Sequence, residues 1–333
     1  MADIVYMSKK AWVALLDAIR TKSGHSGTLT ASDAKTAVDS IETGSSAPAY
    51  DYPLAALERT KSAPTIDPSV TKIAPYVFRG YSELTSISLP DAVTEICDYA
   101  FGGCKNLALS TLPASLKTVG YASFSDVPIT VRELPDGLTS IGDYAFGGCK
   151  NLALSTLPAS LKTMGRSAFS GSSVTISEVP KGVTEISDMC FMQCNNIESV
   201  VIPAHVTSVG FMVWSGCPGV KSVTVNAAVD LGSNSFDGCK LLSKIIINAS
   251  ASISGDSFAE TAETGAMVIK YSAGVVQLKS EYYPQYYPTP NYHIGTGTFP
   301  VYVPDALVSG YKTATNWEKI ADYIKPLSTY TEA

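Results

Sequence analysis

The chain holds three histidines, His25, His205 and His293, and acid–base or nucleophilic chemistry usually draws on imidazole. They fall in three different stretches: a Gly/Ser-rich break near the N-terminus, a turn inside a repeated unit, and the end of a tyrosine-rich run. A Ser-His-Asp or Cys-His constellation is therefore not expected. Neither of the glycine-rich phosphate motifs G-x-x-x-x-G-K-[ST] and G-x-G-x-x-G occurs, and Gly295-Thr296-Gly297 stands alone. Cys190 and Cys194 have no histidines at zinc-finger spacing, so the residues predict no metal site and no cofactor. Glu133 and Glu178 are the best candidates for paired carboxylates. Two repeat units separate them, roughly 10 Å at about 4.8 Å per strand step, near the separation in inverting glycosidases. Each occupies an ordinary outward position, where a solvated side chain is the simpler use. The expectation is a protein without catalytic function.

Those outward positions exist because the chain repeats. Asp98–Thr118 recurs letter for letter at Asp143–Thr163, an offset of 45 residues. Inside that offset is a shorter unit. Phe78, Phe101, Phe124, Phe146, Phe169, Phe191, Trp214, Phe236 and Phe258 recur every 22 or 23 residues. Such a period is the mark of a solenoid, in which each unit packs on its neighbours. Three apolar columns run with it. One is Leu84, Leu107, Ile129, Leu152, Val174, Ile197, Val220, Leu242; another starts at Leu89, and a third at Ile96. Each unit reads as an apolar-alternating strand ending in proline (Pro90, Pro113, Pro135, Pro158, Pro180, Pro203), a turn, a second brief extended piece and an Ala-Phe corner. In units two to five the spacing changes, as in Leu107, Leu109, Leu112, with Ser110, Arg132, Ser155 and Ser177 at the usual Ile position. A local bulge or twist of the sheet is expected there.

Cys104, Cys149, Cys194 and Cys239 also stand 45 residues apart, and Cys217 holds the same place in its unit. They read as small buried hydrophobes. Cys104 and Cys149 are two coils apart, too far for a disulfide. Cys194, Cys217 and Cys239 lie on successive coils within bridging reach, and free thiols are the expectation.

The unit Leu84–Asn106, LTSISLPDAVTEICDYAFGGCKN, resembles the BspA-like, bacterial surface-antigen class of leucine-rich repeats, whose pattern is about L-x-x-I-x-L-P-x-x-[VL]-x-x-I-x-x-x-A-F-x-x-C. The likeness covers about residues 66–260, and the closing segment VYVPDALVSGYKTATNWEKIADYIKPL is similar to the C-terminal cap of that class. The resemblance implies a mainly β, right-handed leucine-rich-repeat solenoid used for binding and not for catalysis, in proteins of bacterial surfaces and of some protists.

The expected organisation has five parts. Residues 1–41 form an N-terminal helical hairpin, one helix from Ser8 to about Lys22 and a second capped by Thr30 and Asp33. Residues 42–65 are linker and N-terminal cap, 66–270 the solenoid, 271–300 a Tyr/Pro-rich loop and 301–333 a C-terminal α/β cap. In the cap Asp305 is expected to start one short helix, and Trp317–Ile324 to form another. The text AWVALLDAIRTKSGHSGTLTASDAKTAVDSI resembles a short N-terminal module of phage and prophage tail-associated proteins. Two short amphipathic helices bury little alone, so residues 1–41 must pack on something or self-associate.

Composition narrows the partners. With 24 Lys+Arg against 30 Asp+Glu, a net charge of −6, no nucleic-acid partner is expected. No uninterrupted apolar stretch of about 18 residues occurs, so membrane insertion is not expected. The N-terminus has charges inside its apolar stretch and no small-residue cleavage site, so it is a poor secretory signal. What remains is surface. The outward column on the principal strand reads Ser88, Thr111, Glu133, Thr156, Glu178, Val201, Thr224, Ile246. From Thr111 onward it is the candidate binding face, with its apolar C-terminal half preferred for contact. Tyr282, Tyr283, Tyr286 and Tyr287 are candidates for stacking on sugars or for a protein hot spot; their other reading is a loop covering the end of the solenoid. The expected role is binding or adhesion to a protein or glycan of a host or neighbouring cell. A phage or prophage virion-associated, receptor-binding role is the alternative, and an intracellular scaffold a third.

Overall fold

A computed structural model describes residues 62–254, 256–279 and 297–332. The N-terminal hairpin, most of the linker and Tyr282, Tyr283, Tyr286 and Tyr287 lie outside the described residues.

Each coil turns on its aromatic corner. The nine rings from Phe78 to Phe258 are all buried and form one continuous stack, with neighbouring centroids 5.0–6.1 Å apart and ring planes within 3–10° of each other. Backbone bonds lock the register. At the first corner Tyr76, Phe78 and Gly80 donate to the carbonyls of Asp98, Ala100 and Gly102 on the next coil, at 2.8–2.9 Å. Every second N–H can point along the solenoid because left-handed residues flank the aromatic, as at Tyr99 (φ 54) and Gly103 (φ 73).

The second brief extended piece forms parallel ladders between coils. Lys72–Ile73, Glu95–Ile96, Thr118–Val119, Ser140–Ile141 and Thr163–Met164 make one sheet. Glu185–Ile186 pairs with Ser208–Val209, and Asp230–Leu231 with Ser252–Ser254 and then Gln277–Lys279. Residues 271–279, read as the start of an inserted loop, thus carry one more strand of the solenoid.

The principal strand departs from expectation. Its ladder begins only at Ser199–Ile202 and continues through Ser222–Val225, Lys244–Ile247, Ala266–Ile269, Val301–Val303 and Ile324–Pro326. In the five preceding coils no strand forms beside Pro90, Pro113, Pro135, Pro158 or Pro180. Single bonds remain, such as Ala108 N–H to Thr85 O and Thr175 N–H to Leu154 O. The reason is phase. Val200 and Ile202 are two apart and both point inward, as a pleat requires. Leu109, Val131, Leu154 and Ile176 are buried, but each precedes its next inward residue by three. The odd spacing breaks the alternation in the four coils for which a bulge or twist is expected, and no ladder forms there. Leu84–Leu89 has regular spacing yet lacks an in-phase neighbour, so it forms no ladder either.

Residues beyond Val303 also differ from the reading. Asp305–Leu307 is a 3-10 turn leading into the α-helix Val308–Thr313, and Trp317–Tyr323 is a kinked 3-10 segment. Asp305 caps no helix, since its carboxylate accepts the Ser328 N–H at 3.0 Å. Ile324 belongs to a strand and not to the second helix. Tyr311 and Trp317 are buried, and the Trp317 indole donates to Val276 O at 2.8 Å.

Candidate functional site

The outward column changes character along the solenoid. Thr111, Glu133, Thr156 and Glu178 are exposed. Val201, Thr224 and Ile246 are half-buried, and Val268, next in register, is fully buried. The chain's own C-terminal segment dresses that last part. Lys244, on the same strand as Ile246, pairs with Glu332, and Tyr330 packs on Tyr302 at 5.0 Å between centroids. Hydrogen bonding to each other is the main cause that holds the Lys244 ammonium above its usual range and the Glu332 carboxylate below its own. The open part of the face therefore runs from Thr111 to Glu178, up to its middle.

There the structure brings two of the expected site residues together. A cleft of about 440 Å³ is lined by Ser155, Thr156, Ser177, Glu178, Lys181 and His205, over a floor that includes Leu157, Val179 and Pro180. It lies where the out-of-phase coils end and the regular ladder starts at Ser199, so the change of phase opens it. His205 Nε2 sits 3.1 Å from the Pro180 carbonyl oxygen, which fixes the ring at the rim. Hydroxyls, one carboxylate, one ammonium and one imidazole over an apolar floor suit recognition of a polar ligand by hydrogen bonds. Among the described residues no Ser or Cys side chain bonds to a histidine, and no group of three or more His, Cys, Asp or Glu is placed to hold a metal. Thr111, Glu133, Val201, Thr224 and Ile246 do not line the cleft.

The cysteines have a structural use. All seven are buried and free. Cys104, Cys149, Cys194, Cys217 and Cys239 each donate to the carbonyl of the preceding coil's aromatic, Phe78, Phe124, Phe169, Phe191 and Trp214, at 2.9–3.3 Å. Burial pushes the Cys149 and Cys239 thiols up to about 12 and Cys194 to about 11, so none of these three is a thiolate near neutrality.

A family model described as "BspA type Leucine rich repeat region (6 copies)" matches residues 71–197 and again 184–280. The chain belongs to the BspA-type leucine-rich repeat family. Members of this family are proteins of repeats suited to binding or adhesion, which agrees with a site made of surface columns. Among solved structures, a leucine-rich repeat protein from Bacteroides ovatus is 21% identical, with 73% of this chain and 75% of that one covered and a TM-score of 0.45. A Treponema pallidum (T. pallidum) leucine-rich repeat protein is 26% identical over 48% of this chain and 78% of that one, with a TM-score of 0.41. A leucine-rich cell surface protein from Faecalibacterium prausnitzii is 21% identical over 66% and 83%, with a TM-score of 0.37. No curated protein matches.

Within this BspA-type solenoid, Ser155, Ser177, Lys181 and His205 were not among the expected site residues. Ser155 and Ser177 stand at the departures from the repeat pattern, and that break in phase was the available signal. Lys181 and His205 carried none.

Proposed function

We propose that this protein is a non-enzymatic binding protein that recognises a polar partner, a protein or glycan of a host or neighbouring cell, through the open middle of its outward column. The observation that carries the reading is the cleft uniting Thr156 and Glu178 with Ser177, Lys181 and His205. Family membership supports it, because solenoids of this kind offer one long regular face to partners. The test is an array of matrix proteins and glycans probed with the full chain and with Thr156→Ala/Glu178→Ala/His205→Ala. A partner bound by the native chain and lost by the triple variant supports the reading. A partner held equally by both, or no partner at all, overturns it.

The virion-associated role rests on the resemblance in residues 1–41. Light scattering compares the full chain with one starting at Ala47. A trimer or larger that becomes a monomer on truncation favours the particle reading, whereas two monomers remove its support.

A further inference from the structure

A second surface lies on a different side of each coil. Tyr76, Tyr99, Tyr121 and Tyr144 sit on successive coils, with ring centroids 4.9, 5.0 and 5.9 Å apart. Phe211 continues the same stripe three coils further on. Tyr121, Tyr144 and Phe211 are 38%, 37% and 36% exposed, so three of the five most exposed large hydrophobic residues described share one stripe. A folded surface seldom gathers them without a use.

Carboxylates interleave with the rings. Asp98, Asp143 and Asp188 occupy, on alternate coils, the position that Tyr121, Arg166 and Phe211 hold on the coil following each. Each accepts the backbone N–H of the next coil through Oδ1, from Tyr121 and Arg166 at 2.8 Å and from Phe211 at 3.1 Å. The three charges are thus fixed in register with the rings. Among the described residues none of the three forms an ion pair. The Tyr121 hydroxyl is pushed above its ordinary range, first by hydrogen bonding to Tyr99, then by burial and by the nearby Tyr99, Tyr144 and Asp143.

The stripe already shows which cations its rings accept. The Arg79 guanidinium carbon lies 4.3 Å from the Tyr99 centroid and 5.5 Å from that of Tyr76. The Arg166 guanidinium stands 5.5 Å from the Phe211 ring and also contacts Met189 sulfur at 3.8 Å. Both ends therefore carry a stacked guanidinium. Tyr121 and Tyr144, in the middle and beside Asp98 and Asp143, carry none among the described residues.

We propose that this stripe docks an extended, arginine-bearing segment of a partner protein, with guanidinium groups stacked on Tyr121 and Tyr144 and paired with Asp98 and Asp143. Ring and carboxylate side by side are what a guanidinium uses, since it stacks through its plane and hydrogen-bonds through its edge. The carboxylates repeat every two coils, roughly 10 Å, while the Tyr121 and Tyr144 rings stand on neighbouring coils, 5.9 Å apart. An extended polyproline-type segment presents every third residue on one side at about 9.3 Å, so arginines at that spacing meet Asp98 and Asp143 in turn, each with a ring beside it.

The test uses the full chain and a fluorescent peptide of Arg-Pro-Pro repeats, read by anisotropy at low salt beside Lys-Pro-Pro and Glu-Pro-Pro peptides. The arginine peptide binds, the lysine peptide binds several-fold more weakly, and the glutamate peptide does not bind. Tyr121→Ala/Tyr144→Ala weakens arginine-peptide binding roughly tenfold or more, while Tyr121→Phe/Tyr144→Phe stays close to the native chain. Overlaid melting curves for these variants show that the solenoid is intact. Glu133→Gln/Glu178→Gln, on the cleft side, changes nothing, which separates this surface from general attraction to an acidic protein. No binding of the arginine peptide, equal binding of the lysine peptide, or equal losses in the tyrosine-to-alanine and glutamate-to-glutamine variants would overturn the proposal.

Discussion

Removing one ring from the middle of the aromatic stack tests the physical basis of the fold. Phe146 is fully buried and stacks on Phe124 at 5.6 Å and on Phe169 at 5.5 Å. Phe-to-Ala truncation in a core costs about 3–5 kcal/mol, and the cost rises when the site cannot collapse. This site cannot. Tyr144, Phe146 and Gly148 donate to Arg166, Ala168 and Ser170 of the next coil at 2.7–2.8 Å, so the backbone holds its place around the void. Two ring pairs are lost, each worth about 0.5–1.5 kcal/mol beyond buried area. Phe146→Ala is therefore expected at the upper end, about 4–5 kcal/mol. Phe258 supplies the control, because it stacks on Phe236 alone among the described rings. Phe258→Ala should cost about 1 kcal/mol less.

Melting curves by circular dichroism read the total. At roughly 2–4 °C per kcal/mol for a fold of this size, Phe146→Ala lowers Tm by roughly 10 °C or more. Hydrogen exchange reads the location. Units of a solenoid couple only to neighbours, so the corner amides at 122–126 and 165–171 lose protection before those at 74–80 or 232–238. A loss under about 2 kcal/mol, or an equal loss in Phe258→Ala, would refute the claim that stacking along the column carries the coil interfaces.

Three further perturbations have defined signs. The Ser123 hydroxyl is buried without a hydrogen-bond partner among the described residues, where the neighbouring coils carry Ala100 and Ala145; Ser123→Ala should stabilise by about 1–2 kcal/mol in urea unfolding. The seven buried thiols should resist iodoacetamide in the native protein at pH 8 and all react after denaturation; a native adduct seen by mass spectrometry would contradict their packing. Asp237 is held up to about 6, from an ordinary 3.8, first by burial and then by the Glu260 and Asp256 charges. The native state thus binds this proton more tightly than the unfolded chain, and stability falls as pH rises from about 4 to 6. Asp237→Asn should be more stable than the native chain at pH 7, by about 1 kcal/mol for a half-exposed group, and equal to it near pH 4. A gap in Tm that does not close on acidification would refute this.

The aromatic stack was legible in the sequence because a core position repeated nine times amplifies a weak single-residue signal. The same amplification exposed the thiol column. The outward column was legible in membership but not in environment: nothing local to Ile246 or Val268 indicates that residues near Glu332 return over their strands. Asp305 looked like a helix cap because Asp commonly caps, yet its carboxylate serves Ser328, 23 residues away. The Leu84–Leu89 strand failed for a reason outside its own residues, since a ladder needs both partners in phase. The cleft has no motif because it is a step between two phases of one repeat. The tyrosine ladder escaped notice because Tyr76, Tyr99 and Tyr144 stand two places before their aromatic and Tyr121 three places before, so no single column contains all four.

That offset follows from the duplication. The identical stretch recurs at an offset of 45 residues, two coils, so a residue on the surface of one coil is copied to the next but one, and adjacent coils are free to differ. Asp98 and Asp143 are such copies, with Asp188 at the same phase; Tyr121 stands between the first two, Arg166 between the second and third, and Phe211 follows. The core tolerates no such freedom, because every coil must place a ring on its neighbour's ring, and the aromatic column accordingly keeps the single-coil period throughout. One chain thus carries two periods: a one-coil period that the packing of rings enforces, and a two-coil period that the surface inherits from duplication. The first sets stability. The second sets the spacing of ring and carboxylate that a partner meets, so moving Tyr121 to the next position, by Tyr121→Ala with Ala122→Tyr, should leave the aromatic stack intact while breaking the alternation. If that double variant binds an arginine peptide as well as the native chain does, the register of the stripe is irrelevant to recognition, and the rings act only as a diffuse aromatic surface.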